Sequence, residues 1–242
     1  AILYGEGWTM GATIDGSAQA DQKNISGIIP TGDAIGGIAV FNDAIRDGLK
    51  GSVFEKTSKG YISGAAKLNL NKVLFGIRGG KGVGIGWAVT NDMVINYMSA
   101  HDNNTLWDKL LLSNPNDPEV SRLAMNRLGA AILLSARGTP FFQAGEEMLR
   151  TKGGDENSYK SSDAINNIDW SVLNDDTAQY QTMLYYKGLI EMRKAYSVFT
   201  DADTTVTHSQ IGSDGAVAVT LTGADGESAL LLINPTTTQQ TY

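Results

Sequence analysis

Apolar residues along this chain come in short runs, each closing on glycine, asparagine or a carboxylate, with longer amphipathic stretches between them. Short apolar runs bounded by turn formers predict buried strands, and apolar positions at i, i+3, i+4 and i+7 predict helices. Residues 1–4, 37–43, 93–100 and 141–144 fit the first description. Residues 44–49, 66–78, 106–112, 119–136 and 177–195 fit the second. In the stretch 119–136, Leu123, Leu128, Ala131, Ile132 and Ser135 share one face. From residue 9 to residue 37, Gly, Ser, Asp and Thr dominate without periodicity. A loop of that length inside a compact protein is more often functional than structural. A second Gly- and Asn-rich loop spans 152–168.

After Phe199 the pattern changes. Residues 206–208, 216–222 and 229–234 read as short strands, with Asp-Gly turns at 214–215 and 225–226, an antiparallel arrangement. Before Phe199, strands alternate with helices, which predicts a parallel sheet. Glu6, Asp43, Asp102 and Glu146–Glu147 each fall just past the C-terminal end of a strand. In a (β/α)₈ barrel that edge carries the active site. Four strands do not close a barrel, so the expected fold is α/β: strands five to eight of a (β/α)₈ barrel over 1–198, then part of an antiparallel β-sandwich over 199–242. The chain opens on Ala1-Ile2-Leu3-Tyr4 without Met, and its last strand is followed by eight residues, so both ends read as cut. A dinucleotide-binding fold would place a Gly-rich fingerprint directly after a strand. Gly79-Gly80-Lys81-Gly82-Val83-Gly84 follows a helix instead and reads as a flexible turn.

Composition narrows the function classes. The formal charge is −7 with scattered basic residues, which excludes a phosphate-binding surface and makes nucleic acid an unsuitable partner. No run of about 18 apolar residues suggests a membrane span. There are no cysteines, so neither disulfides nor thiolate chemistry is available.

Two clusters offer chemistry. Glu6 stands between two glycines beside Trp8, an aromatic that would desolvate a carboxyl and hold its proton for donation to a leaving oxygen. Trp8 also presents a flat apolar face to a sugar ring. The plain alternative is a solvated loop carboxylate beside a core tryptophan. His101 and Asp102 close another strand, where imidazole and carboxylate together can clamp sugar hydroxyls and stabilise developing positive charge. Asn103 or Thr105 can instead cap the following helix. One His beside one Asp is too small a set for a metal, since the other histidine, His208, lies in the β region. No nucleophile-elbow motif supports a Ser-His-Asp triad.

These segments carry a resemblance. Tyr4-Gly5-Glu6-Gly7-Trp8 resembles the general-acid segment on the fifth strand of α-amylase-superfamily debranching enzymes of the type I pullulanase kind. Phe41-Asn42-Asp43 with Arg46-Asp47-Gly48 is similar to their sixth-strand region. Tyr97-Met98-Ser99-Ala100-His101-Asp102-Asn103 resembles the seventh, and Gly138-Thr139-Pro140-Phe141-Phe142-Gln143-Ala144-Gly145-Glu146-Glu147 the eighth. Met148-Leu149-Arg150-Thr151-Lys152, Asn157-Ser158-Tyr159 and Asn166-Asn167-Ile168-Asp169-Trp170 are similar to the loop beyond it that lines substrate subsites. The resemblance implies retaining hydrolysis of α-1,6 links in pullulan, amylopectin or dextrins. Glu6 would be general acid and base and Asp102 the transition-state stabiliser, with His101, Trp8, Asn157 and Tyr159 binding substrate. No cofactor is required, and the sequence leaves structural calcium open. The family nucleophile, an aspartate on the fourth strand, has no counterpart in this sequence. The chain is therefore expected to be inactive alone and to need the N-terminal half of the barrel as partner. An extracellular or cell-surface bacterial location follows from the resemblance, with a cytoplasmic one as the alternative. Isoamylase or glycogen debranching enzyme is the related reading, and a non-catalytic carbohydrate-binding fragment the reading of a different class.

Overall fold

The computed structural model describes residues 3–9, 11, 14–27, 38–81 and 86–242. Four strands, β1 (Tyr4–Gly5), β2 (Ala39–Asn42), β3 (Val94–Tyr97) and β4 (Thr139–Phe141), form one parallel sheet in the order of the sequence. The register sets Tyr4 beside Ala39, Phe41 beside Ile95 and Tyr97 beside Phe141. Every residue of β2 and β3 is buried, as parallel strands covered on both faces must be. The asparagines of the two strands bond sideways, leaving Asn42 Oδ1 buried without a partner among the described residues. Asn42 Nδ2 donates to Asn96 Oδ1 at 2.9 Å, and Asn96 Nδ2 donates to the carbonyls of Gly76 and Arg137 at 3.1 and 2.7 Å.

Helices α1 (Asp43–Lys50) and α2 (Ala66–Ile77) link β2 to β3, and α3 (Leu106–Ser113) and α4 (Glu119–Ser135) link β3 to β4. After β4 come the single turn α5 (Asp163–Asn166) and the long α6 (Ala178–Ala195). Local chemistry sets several of these starts. The Thr105 and Thr177 side chains accept from the Asp108 and Tyr180 amides at 3.1 and 3.2 Å, capping α3 and α6. Helices α1 and α2 pack tightly because Gly76 has no side chain: a Cβ there would lie 2.5 Å from Ile45 Cβ.

A second sheet, β5 (Thr205–Ile211), β6 (Ala216–Thr222) and β7 (Ser228–Ile233), is antiparallel in sequence order. Val217, Val219 and Leu221 of β6 join the same apolar cluster as Ile45, Leu49, Tyr61, Leu74, Leu110 and Leu133. The Tyr61 hydroxyl donates to the Gly215 carbonyl at 2.7 Å, tying the hairpin turn to the helical layer. Each fully buried Leu or Ile in such a core contributes about 1.5–3 kcal/mol.

The elements agree with the expected α/β order, with shifts of boundary. Strand β4 lies over Thr139–Phe141 rather than 141–144, because its ladder partner β3 ends at Tyr97 and Tyr97 pairs with Phe141. Strand β3 is shorter than 93–100: Met93 closes a 3₁₀ turn, and residues 98–100 run on, buried or half-buried, beyond the ladder. Strand β5 is longer than 206–208, since seven residues pair with β6 although most are polar and exposed. The long loop contains 3₁₀ turns at Gly16–Ala18 and Ile25–Gly27. Residues 1–2 of the first expected strand, residue 37 of the second, residues 28–37 of the loop and residues 82–84 of the Gly-rich turn lie outside the described residues. Gly79 and Gly80 both adopt left-handed backbone, consistent with a turn.

Candidate functional site

The C-terminal edge of the parallel sheet opens into a cleft of about 760 Å³. Each of the first three strands sends a carboxylate into it: Glu6 follows β1, Asp43 follows β2 and Asp102 follows β3. Gly7 makes the first delivery possible. Its φ is 75°, and a Cβ there would lie 2.6 Å from Val40 Cβ, so the backbone after Glu6 turns against β2 as no other residue allows. The third delivery turns on Asn103, one of two described non-glycine residues with positive φ, at 65°.

Glu6 meets at the cleft the adjacent His101 and Asp102, which lie far later in the sequence. One side-chain donor atom from each lies within 4.8 Å of the other two, and all three residues are exposed. His101 Nε2 stands 3.5 Å from Asp102 Oδ1. The sequence offered a metal only two adjacent ligands; the fold brings Glu6 to them as a third, on an open surface. Asn157 lines the same cleft, and Tyr159 does not: it is 74% exposed, with the Lys160 ammonium 5.1 Å from its ring.

Trp8 departs from expectation. Its ring packs on the aromatic floor formed by Phe41, Tyr97 and Phe141, whose ring centroids stand 4.6 and 5.2 Å from Phe41. Glu6 remains in solvent, so the burial expected from the neighbouring indole does not surround the carboxylate. The tryptophan contributes to the wall beneath the carboxylates.

Sequence reasoning placed Asp43 at a strand end and Arg46 in the sixth-strand segment, but missed Lys50 and the face of α1 that the three share. Asp43, Arg46 and Lys50, spaced i, i+3 and i+7, all line the cleft, while Ile45 and Leu49 turn to the core. Arg46 donates to Tyr97 Oη at 2.8 Å and to Asp47 Oδ1 at 2.7 Å, and its guanidinium lies 6.0 Å from the Trp8 ring centroid. From the long loop, Gln22 donates to the Phe41 carbonyl and to Asp43 Oδ1 at 2.7 and 2.9 Å. Lys50 is only 1% exposed, and burial lowers its ammonium to about 7. Phe54 is also a lining residue and is 86% exposed, an aromatic face offered at the rim. The spacing of 43, 46 and 50 was the available signal, but charges on a short helix read first as a solvated face.

Comparison with known proteins agrees with this architecture. No protein-family model matches the chain. The pullulanase of Bacillus subtilis strain 168 is 35% identical, over 82% of this chain and 26% of that protein. Pullulanase 1, chloroplastic, of Arabidopsis thaliana is 31% identical over 70% of this chain and 21% of its own length. Among solved structures, the Paenibacillus barengoltzii pullulanase in complex with maltohexaose and alpha-cyclodextrin superposes with a TM-score of 0.82 at 36% identity, over 93% of this chain and 34% of that one. The pullulanase of Bacillus acidopullulyticus gives 0.85 at 33% identity, over 99% and 29%. The fold is thus that of strands five to eight of a (β/α)₈ barrel followed by part of a β domain. The chain spans about a third or less of the length of these relatives. By sequence and by fold together, the chain belongs to the pullulanases.

Proposed function

We propose that this chain contributes the acid–base half of a retaining active site that hydrolyses α-1,6 links in α-glucans such as pullulan, amylopectin or limit dextrins. The convergence of Glu6, His101 and Asp102 on one cleft carries this reading. The complexes of relatives with maltohexaose, alpha-cyclodextrin and maltose support the substrate class. Glu6, exposed and reachable, protonates the glycosidic oxygen and then takes the proton of the attacking water. Asp102 and His101 accept and donate hydrogen bonds to ring hydroxyls, and the Asp102 charge stabilises the oxocarbenium-like state. Trp8 and Asn157 form the wall of the glucan site, and Tyr159 acts at most from its rim. Residues 1–198 are the barrel part and 199–242 the β-domain part. The nucleophilic carboxylate comes from the N-terminal half of the same barrel, which completes the sheet beside β1 and β4. An extracellular or cell-surface location suits a polymeric substrate, with a cytoplasmic one as alternative. Among the described residues no helix is long and apolar enough to cross a membrane.

The test is pullulan hydrolysis by the 242 residues alone and with the N-terminal half added, each compared with glycogen. Activity only in the combination supports the reading, and preference for glycogen would favour an isoamylase-like specificity. The close approach of Glu6 and Asp102 supports a second reading. Donor atoms within 4.8 Å come near the roughly 5–5.5 Å of a retaining carboxylate pair, so Asp102 itself would attack. Hydrolysis by the chain alone would favour that assignment. Glucan binding without hydrolysis in either preparation would leave a carbohydrate-binding protein.

A further inference from the structure

The eighth-strand segment carries two adjacent glutamates that the reaction above does not use, and the fold treats them differently. Glu147 folds back on its own turn and accepts from the Gly145 amide at 2.9 Å. Glu146 points inward and is 4% exposed. Its Oε2 accepts a hydrogen bond from Ser99 Oγ, and its Oε1 accepts from Tyr186 Oη at 3.2 Å. Both donors are themselves 1% exposed. Tyr186 belongs to α6 and is braced by Phe142, with ring centroids 5.4 Å apart. Ser99 belongs to the run that leaves β3 and ends, two and three residues later, on His101 and Asp102. That run is fixed again on its far side, where Asn104 donates to the Gly154 carbonyl at 3.0 Å and Thr105 caps α3. Between the two anchors, His101 and Asp102 are exposed and have no other described restraint than each other.

We propose that Glu146 is a positioning residue, a buried strut from α6 to Ser99 that fixes where His101 and Asp102 stand opposite Glu6. The proposal rests on the reading of the cleft given above for its effect on rate, and on the hydrogen bonds alone for its effect on geometry. A carboxyl group is suited to the task because two hydroxyls meet it from opposite elements and each oxygen engages one. A glutamine keeps an acceptor oxygen at the same reach. A leucine of similar volume keeps the packing and removes both acceptors. Misplacement of a catalytic segment by about 1 Å can cost about a hundredfold in rate.

The experiment compares Glu146→Gln, Glu146→Leu and Ser99→Ala in the intact protein carrying these residues, with pullulan as substrate and the folded fraction checked by circular dichroism. Glu146→Leu and Ser99→Ala are expected to lower kcat tenfold or more with KM within about twofold, and Glu146→Gln to stay near the parent. A second readout is independent of turnover. The imidazole resonances of His101 and His208, each assigned by its loss on substitution with Gln, are followed in the same intact protein. The His101 resonance should move in the Leu and Ala variants and hold in Glu146→Gln, with His208 unchanged. Unaltered kcat together with an unmoved His101 resonance overturns the proposal, as does a Gln variant as impaired as the Leu variant. If Glu146→Leu does not fold, Ser99→Ala decides. If the unmodified protein leaves pullulan intact, the functional reading fails, and the His101 resonance alone decides the strut.

Discussion

Burial acts on Glu146 and Lys50 in opposite directions, pushing the carboxyl up to about 7 and the ammonium down to about 7. Between its ordinary value of 4.5 and about 7, Glu146 keeps its proton in the folded protein while the unfolded chain has released it. Stability from the neutral carboxyl is therefore complete below pH 4.5 and lost as the pH rises through 7. Lys50 adds a slope of the other sign above pH 7, where the folded ammonium gives up its proton first. Glu146→Gln should consequently gain Tm on the parent as the pH rises from 4.5 to about 7, and a Tm difference constant with pH would contradict this. For Glu6→Gln we expect pullulan turnover to fall about 10²–10⁴-fold with the melting curve unchanged. Near-native turnover would remove Glu6 from its role. Phe54, exposed at the cleft rim, should matter for binding only: Phe54→Ala should raise KM several-fold at constant kcat, with stability within about 0.5 kcal/mol. The sequence marks Glu6, His101 and Asp102 because each stands against a strand end punctuated by glycine or asparagine. Glu146 carries the same mark after Gly145, but carboxylates are rarely buried, and only its partners on other elements explain its inward place.

The contact between α1 and α2 is set by an absence. A glycine inside a helix ordinarily costs about 1 kcal/mol relative to alanine, so Gly76→Ala would stabilise a free helix. Here the added methyl would meet Ile45 Cδ1 at 2.4 Å, and overpacking of that kind costs about 1–3 kcal/mol. Thermal unfolding should show Gly76→Ala less stable than the parent; a stabilised variant would mean that the helices separate without cost. The same element shows why part of the site escapes sequence pattern. Helix α1 is two-faced, but its polar face turns into the cleft rather than to bulk water, while Ile45 packs against Gly76 of α2 on the other side. Strand β5 escaped for the converse reason: its exposed polar residues pair mainly through the backbone.

At the level of the molecule, one apolar cluster joins α1, α2, α3 and α4 to β6, across the boundary that composition drew near residue 199. The change from helical to antiparallel pattern was legible there. The shared core was not, because apolar strands do not reveal which surface they cover. Native-state hydrogen exchange should therefore find the amides of α2 and β6 opening together, and Val219→Ala should lower protection in both; independent opening would separate them into two units. The same arrangement governs how the chain comes together during synthesis. Within each sheet, every strand after the first pairs with the one made just before it, so each ladder is ready to form as its residues emerge. The cluster beneath them must wait. Until the Tyr61 hydroxyl meets Gly215, 154 residues later, the apolar residues of α1 and α2 that share the cluster with β6 stay open to the wrong neighbours.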